Sequence, residues 1–378
     1  MKKFKFELLA VTALFCFFVS CNNSVSTTDS ETKSKTNNES EKEDEEDPLA
    51  FKGTSYTEEG TVTINEKNYT LVKFGDWPQT IKAENVEIDE SKSVEVGLFV
   101  YYKGSDGAWY AKCEENAFTD GLTYSDGTSV ARKIEKSTKY FKVEPILWRI
   151  LTTDFDHDGD ETTAGKKLLF MEDVITTEKF DDAYDEQTVN GTTVYPNNYE
   201  YSKVRAYLNG LVYEKDSTKN KTAYEDKGFL QTAFTEKDRK HIVKTKVDNS
   251  SESFTDCEEK TLTREYPECK DTEDKLFLLS MREVTDPSFG FGKISREDLG
   301  EEMLFDLVRV RQSKDFAKAQ GANKGFYGKG TMWWLRSPDT WDENDIKTCA
   351  KRVWDDGRMT GSWAYNVGYG VVPALCLE

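Results

Sequence analysis

Histidine is nearly absent from this chain of 378 residues: there are two, His157 and His241. His157 sits in an acidic loop and His241 in an amphipathic helical pattern with a basic face, so neither is marked as a catalytic base. No G-x-S-x-G, glycine-rich phosphate loop or H-E-x-x-H occurs. No C-x-x-C or Cys/His spacing suggests zinc. No repeat of fixed period is present. Beyond residue 20, no segment is apolar enough to span a bilayer, which takes about 20 apolar residues. The sequence therefore marks no catalytic, cofactor-binding or metal residue with any of these motifs. Carboxylate pairs for glycoside hydrolysis stay open, because separation in space is not visible in sequence and 70 acidic residues make chance pairs certain.

Positive charge is also scarce: 51 Lys and Arg face 70 Asp and Glu, for a net charge of −19. An acidic surface repels nucleic acid and anionic head groups, so nucleic acid is excluded as a partner. The apolar fraction is low at 37%, but aromatics reach 13%. Phe, Tyr and Trp each bury a large area, so a substantial core is still expected.

The first twenty residues have the three parts of an export signal: Lys2, Lys3 and Lys5, then the apolar run LLAVTALFCFFV at 8–19, then Ser20 before Cys21. The run is too short for a stable span and has the length of a signal h-region. Residues 18–21, FVSC, resemble the lipobox of bacterial lipoproteins, in the relaxed form of spirochaetes. That resemblance implies cleavage before Cys21 and acylation of its thiol and new amino group. Stable anchoring needs more than one acyl chain. Removing the leader, with three lysines and one glutamate, takes the net charge from −19 to −21. Residues 22–50 are Ser/Thr/Asn and then Glu/Asp and cannot pack, so they are expected to be a disordered tether. A flexible chain of that length spans roughly 30 Å. The expected location is the cell envelope, lipid-anchored at the outer membrane or cell surface rather than the inner membrane.

One globular domain is expected over 51–378. TVTINEKNYTLVKF reads as two strands with a turn at 65–68, and GLFVYYKGSDGAWYAKC as a hairpin turning at 104–107. PILWRILTT and KKLLFMEDVI read as strands joined by the acidic loop 154–165. Helical periodicity over 201–213 puts Val204, Tyr207, Leu208 and Leu211 on one face. Thr235 with Asp238 suggests an N-cap before a helix through His241, and Ser280 with Glu283 a capping box. A short helix is predicted over 315–320. TMWWLRS, AKRVWDDGRM and YGVVPALCL are strand-like. The fold class is α+β, with short helices, antiparallel strands and long loops.

Asp154, Asp156, Asp158 and Asp160 with Gly159 match the start of a calcium loop, where alternating carboxylates converge on a hard cation. The twelfth position, normally a bidentate Glu, is Gly165, and the flanks look like strands. That favours an acidic hairpin loop without metal. Of the cysteines beyond the leader, Cys257 and Cys269 flank a polar loop and are the most plausible disulfide pair. Cys349 and Cys376 could also pair, leaving Cys113 odd.

Seven segments in order carry a resemblance: FGDWPQ at 74–79, EPILWRIL at 144–151, VRAYLNG at 204–210, FLQTAFTEKD at 229–238, DKLFLLSMREV at 274–284, WWLRSP at 333–338 and GVVPALCLE at 370–378. Together they resemble bacterial domain-of-unknown-function family 6273, found among exported and lipidated proteins that include those of spirochaetes. The closing WWLRSP and GVVPAL pair resembles the end of domains with a C-type-lectin-like fold. That resemblance implies that first and last strands pair and that long loops display a ligand surface. The family brings no catalytic residues.

Between WWLRSP and GVVPAL lies a stretch with Trp341, Trp354, Arg358, Trp363 and Tyr365. Aromatics and arginine are the residue types of binding hot spots. Trp333, Trp334 and Leu335 should pack inside, as should Val371, Val372, Ala374 and Leu375, which puts 339–369 largely at the surface. Trp341, Arg358, Trp363 and Tyr365 are the expected ligand surface. The expected function is a binding or display domain on the envelope, with an unidentified protein or glycan as ligand. An envelope enzyme acting on glycan through a carboxylate pair is the alternative.

Overall fold

The computed structural model describes residues 54–118, 121–155, 165–189, 191–215, 220–255, 269–292, 306–325, 327–339 and 347–378. The leader, Cys21, the tether, Asp156, Asp158, Asp160, Cys257 and Trp341 lie outside the described residues.

The architecture is mixed α+β, with mostly antiparallel sheets and few, short helices. β1 (Thr57–Ile64) and β2 (Lys67–Ile81) form a hairpin. Its turn residues Asn65 and Glu66 both take positive φ, 48° and 67°. That is the conformation whose twist matches a two-residue hairpin. β3 (Ile88–Val96), β4 (Phe99–Gly104) and β5 (Trp109–Glu114) meander onto β6 (Thr138–Thr152). β6 is the spine of the sheet. β2 pairs with it from Leu71 opposite Arg149 to Ile81 opposite Phe141. Its opposite edge is shared by β5 near Thr138–Lys142 and by β7 (Lys167–Met171) near Trp148–Thr152.

Two short hairpins follow: β8 (Gln187–Val189) with β9 (Thr192–Val194), and β10 (Val212–Lys215) with β11 (Asn220–Ala223). Helix α1 (Lys203–Asn209) lies between them. Its start is capped by Ser202, whose hydroxyl accepts from the Arg205 amide. Its end is set by Gly210, left-handed at φ 69°, whose N–H reaches the Ala206 carbonyl. The 201–213 periodicity therefore overshoots. Val204, Ala206, Tyr207 and Leu208 are buried, but Leu211 is exposed beyond the cap. Helices α2 (Phe229–Ala233) and α3 (Glu236–His241) follow. α3 opens with a capping box between Thr235 and Asp238. The Ser280–Glu283 box also forms, with both reciprocal bonds, and leads into a single 3-10 turn. α4 is Asp315–Ala319.

The last strand of the main sheet is β19 (Pro373–Leu377). It pairs with β7 on one edge and with β12 (Ile242–Val243) and β15 (Phe277–Leu278) on the other. Beside the main sheet, β13 (Thr245–Val247) pairs with β14 (Thr272–Asp274). β16 (Trp333–Pro338), β17 (Cys349–Val353) and β18 (Met359–Trp363) form a separate three-stranded sheet. Among the described residues the first strand, β1, pairs with β2 rather than with β19, so direct pairing of first and last strands is not met there.

Aromatics fill the core. Trp77 stacks on Phe229 at 4.3 Å and meets Phe99 and Phe316 edge-on. Trp148, Trp333 and Trp334 are fully buried and donate their indole N–H to the carbonyls of Phe74, Arg309 and Glu178. Trp333, Trp334, Leu335, Val371, Val372, Ala374 and Leu375 are all inside, as their apolar runs predict. Fully burying one such side chain stabilises by about 2–3 kcal/mol.

The described part of the stretch after WWLRSP, 347–369, is not largely at the surface. Cys349, Ala350, Val353, Met359 and Ala364 are buried, because β17 and β18 pair onto β16 and cover one another. Cys349 and Cys376 are both buried and carry no disulfide; they lie on strands of different sheets. The expected pairing of Cys257 with Cys269 is not seen either. Cys269 is a thiol whose sulfur contacts Asn198 Oδ1 at 3.4 Å, while Cys257 lies outside the described residues.

Candidate ligand surface

Two sets of aromatics occupy opposite ends of β18. At its end, Trp363 and Tyr365 alternate with buried Ala364 and so project together. Their rings lie near-parallel, 5.7 Å apart. Tyr184, from the loop after β7, covers the other side of Tyr365 at 4.0 Å. The loop is held there by the Asp181 amide, which donates to the Ala364 carbonyl at 3.0 Å. Tyr184 is 66% exposed and Trp363 52% exposed. The three rings form one outward ladder, Tyr184–Tyr365–Trp363. Desolvation, with Tyr184 beside it, raises the Tyr365 hydroxyl above its ordinary pKa.

The loop that supplies Tyr184 also carries a charged network. Lys203 bridges Asp182 and Glu178, each at 3.2 Å, and Lys179 reaches Asp182 at 3.1 Å. Asp182, Lys179 and Glu178 sit two to six residues before Tyr184, and Lys203 meets them from α1.

At the start of β18 the chemistry differs. Tyr369, Arg352, Trp354, Arg358 and Tyr327 alternate ring and guanidinium. Arg352 lies 4.6 Å from the Tyr369 ring and 5.0 Å from Trp354; Arg358 lies 5.8 Å from Trp354 and 4.7 Å from Tyr327. Arg358 is further committed to Asp356, Nη2 to Oδ2 at 2.8 Å, which raises its pKa. Burial lowers that of Arg352. Each such contact contributes about 0.5–2 kcal/mol. This stack ties β17 to β18 and to the 327–331 loop. Arg358 is thus separated from Trp363 by a strand length, about 16 Å at 3.3 Å per residue. The structure brings Trp363 and Tyr365 together but gives Arg358 an internal role.

Asp154 Oδ1 accepts the Gly165 amide at 2.7 Å, closing the neck of the acidic loop. Among the described residues no cluster of three His, Cys, Asp or Glu is arranged to hold a metal ion. A polar cleft of about 210 Å³ opens elsewhere, lined by residues of the 121–123 and 312–331 segments. Among the described residues no carboxylate lines it. Asp173, whose carboxyl is raised by burial, is instead ion-paired to Lys314 at 3.0 Å.

The sequence reading missed Tyr184, which lies in FDDAYDE among acids with no apolar pattern. It also missed the cleft, whose walls come from segments nearly 200 residues apart.

The fold and this surface define a mixed sheet domain with ligand-sized exposed features and no recognisable catalytic constellation among the described residues. The chain belongs to the family described as Domain of unknown function (DUF6273), whose model matches residues 164–378. FGDWPQ and EPILWRIL therefore precede the matched stretch, which opens just before β7. Neither curated proteins nor solved structures gave a match.

Proposed function

We propose that this chain is a cell-envelope lipoprotein whose folded part is a binding or display domain. Three features of the leader support the anchor: the basic start, the short apolar run and FVSC ending at Cys21. The observation that carries the binding reading is the exposed ladder Tyr184–Tyr365–Trp363. Several large rings exposed on one face are costly to solubility unless a partner covers them. A lectin-like arrangement is also in keeping with the matched stretch. Its first described strand, β7, pairs with its last, β19, even though β1 and β19 do not pair.

Two measurements test this. Cys21→Ala should move the protein out of the detergent phase; unchanged partitioning sinks the lipoprotein reading. A glycan and host-protein binding screen should return a ligand whose affinity falls with Trp363→Ala or Tyr184→Ala. If every ligand found ignores both substitutions, the ladder is not the recognition surface.

A further inference from the structure

The polar cleft carries a second, independent inference. One wall is residues 121–123; the other is built from 312–313, Lys318 of α4, Lys324, Gly328, Gly330 and Thr331. In a chain of net charge −19, two of the described lining residues are lysines and none of them is acidic. Lys318 is half-committed, ion-paired to Asp315 at 3.1 Å. Lys324 makes no ion pair or hydrogen bond among the described residues. Lys324 and Thr331 bridge each other as an isolated antiparallel pair, which fixes the two side by side.

Hydroxyls complete the lining. Thr123, Ser313 and Thr331 all contribute, and none of the three hydroxyls has a hydrogen-bond partner among the described residues. Thr331 is the informative one. It is only 3% exposed, yet it lines the cleft and its hydroxyl has no protein partner among the described residues.

Asp315, the partner of Lys318, has no oxygen left for a ligand. Asp315 takes the Ser125 amide and Lys318 on one oxygen, and the Ile81 amide and Ser125 hydroxyl on the other. Among the described residues the cleft therefore offers an uncommitted ammonium and three hydroxyls, and no carboxylate lines it. Neutral sugars are usually gripped by carboxylates that accept from their hydroxyls; this donor set instead suits a group that only accepts. Charge-assisted bonds from ammonium and hydroxyl to an oxyanion are short and about twice as strong as neutral ones.

We propose that this cleft binds a tetrahedral oxyanion, a phosphate or sulfate group carried by a small molecule or by a sugar unit of a polymer. The volume of about 210 Å³ admits that group with one small attached unit. The site is separate from the aromatic ladder and does not depend on it.

The test is calorimetric titration of the full chain with sodium phosphate and, separately, sodium sulfate at low ionic strength, against sodium chloride at matched ionic strength. Saturable binding of phosphate or sulfate but not chloride is expected, and the tighter-binding anion identifies which of the two groups the cleft prefers. Lys324→Gln, at an exposed position, should weaken binding about tenfold, and Thr331→Val, nearly isosteric, by a similar factor. Trp363→Ala should leave it unchanged. No saturable heat with either anion overturns the proposal. So does an affinity untouched by both cleft variants while their unfolding midpoints match the parent. A neutral monosaccharide that binds in the cleft and is lost in Thr331→Val would also overturn it.

Discussion

Arg336 and Glu283 form a two-pronged buried ion pair: Nη1 to Oε2 at 2.5 Å and Nη2 to Oε1 at 2.9 Å. Arg336 also donates to the Leu278 and Asp248 carbonyls, and Glu283 accepts the Ser280 amide. The pair clips the WWLRSP strand to the turn after DKLFLLS. Breaking a buried pair leaves a charge without compensation, which costs about 3–5 kcal/mol. Arg336→Met and Glu283→Gln should each lower the unfolding free energy by about that amount, read as a lower urea midpoint. The double variant should lose much less than the sum of the two. Additive losses would show that the pair is not an energetic unit.

Gly357 closes the turn between β17 and β18 at φ +89°. A Cβ there would stand 2.1 Å from the Asp306 carbonyl oxygen, and the Gly357 carbonyl accepts from Arg309 Nε at 2.8 Å. Neither backbone can give way without breaking the other's bonds. Gly357→Ala should destabilise by about 3 kcal/mol, read as a fall in thermal midpoint. Gly107→Ala, in a turn with open space around its Cβ, should cost less.

Burial pushes the Cys113 and Cys269 thiols up to about 12. A raised folded pKa keeps the thiol neutral, so its contribution to stability is complete below the unfolded value of about 8.5. That contribution is lost as pH rises from there toward 12. Iodoacetamide at pH 8.5 should label both residues slowly in the native chain and fast in urea. Under the same denaturing conditions without reductant, Cys349 and Cys376 should also label. A disulfide-linked peptide joining those two would contradict the structure.

The aromatic ladder separates recognition from folding. Trp363→Ala and Tyr184→Ala should change stability by about 0.5 kcal/mol or less, since both rings are largely exposed. Each should weaken a ligand of this face by about 1–3 kcal/mol. Arg358→Ala should do the reverse, lowering stability through the Tyr327–Trp354–Asp356 contacts and leaving that affinity intact.

Local rules carried the sequence reading a long way. The hairpin at 104–107, the caps at Thr235 and Ser280, α4 and the buried runs around Trp333 and Val371 all follow from residues a few positions apart. Where the reading failed, the deciding residue was either a stop signal or distant. Gly210 ends α1 before Leu211 can join its face. AKRVWDDGRM reads as a strand, yet the glycines and charges around it place 339–369 at the surface, whereas β17 and β18 turn much of 347–369 inward. Those charges are satisfied inside, as Lys351 is by Asp339 at 2.6 Å. The ladder needed Tyr184, brought in from more than 170 residues away, and the cleft needed Thr123 facing Thr331. No linear pattern encodes those meetings.

The family segment begins at the doorstep of β7, yet the strand that completes one edge of β7 belongs to the chain before it. Severed at residue 164, the segment would carry an open row of amides and carbonyls along β7, ready to capture any passing strand. The preceding hundred residues therefore act as a built-in edge guard. Relatives that share only the later segment face the same exposed seam and need some guard of their own, whether a different leading sequence or a second copy of themselves.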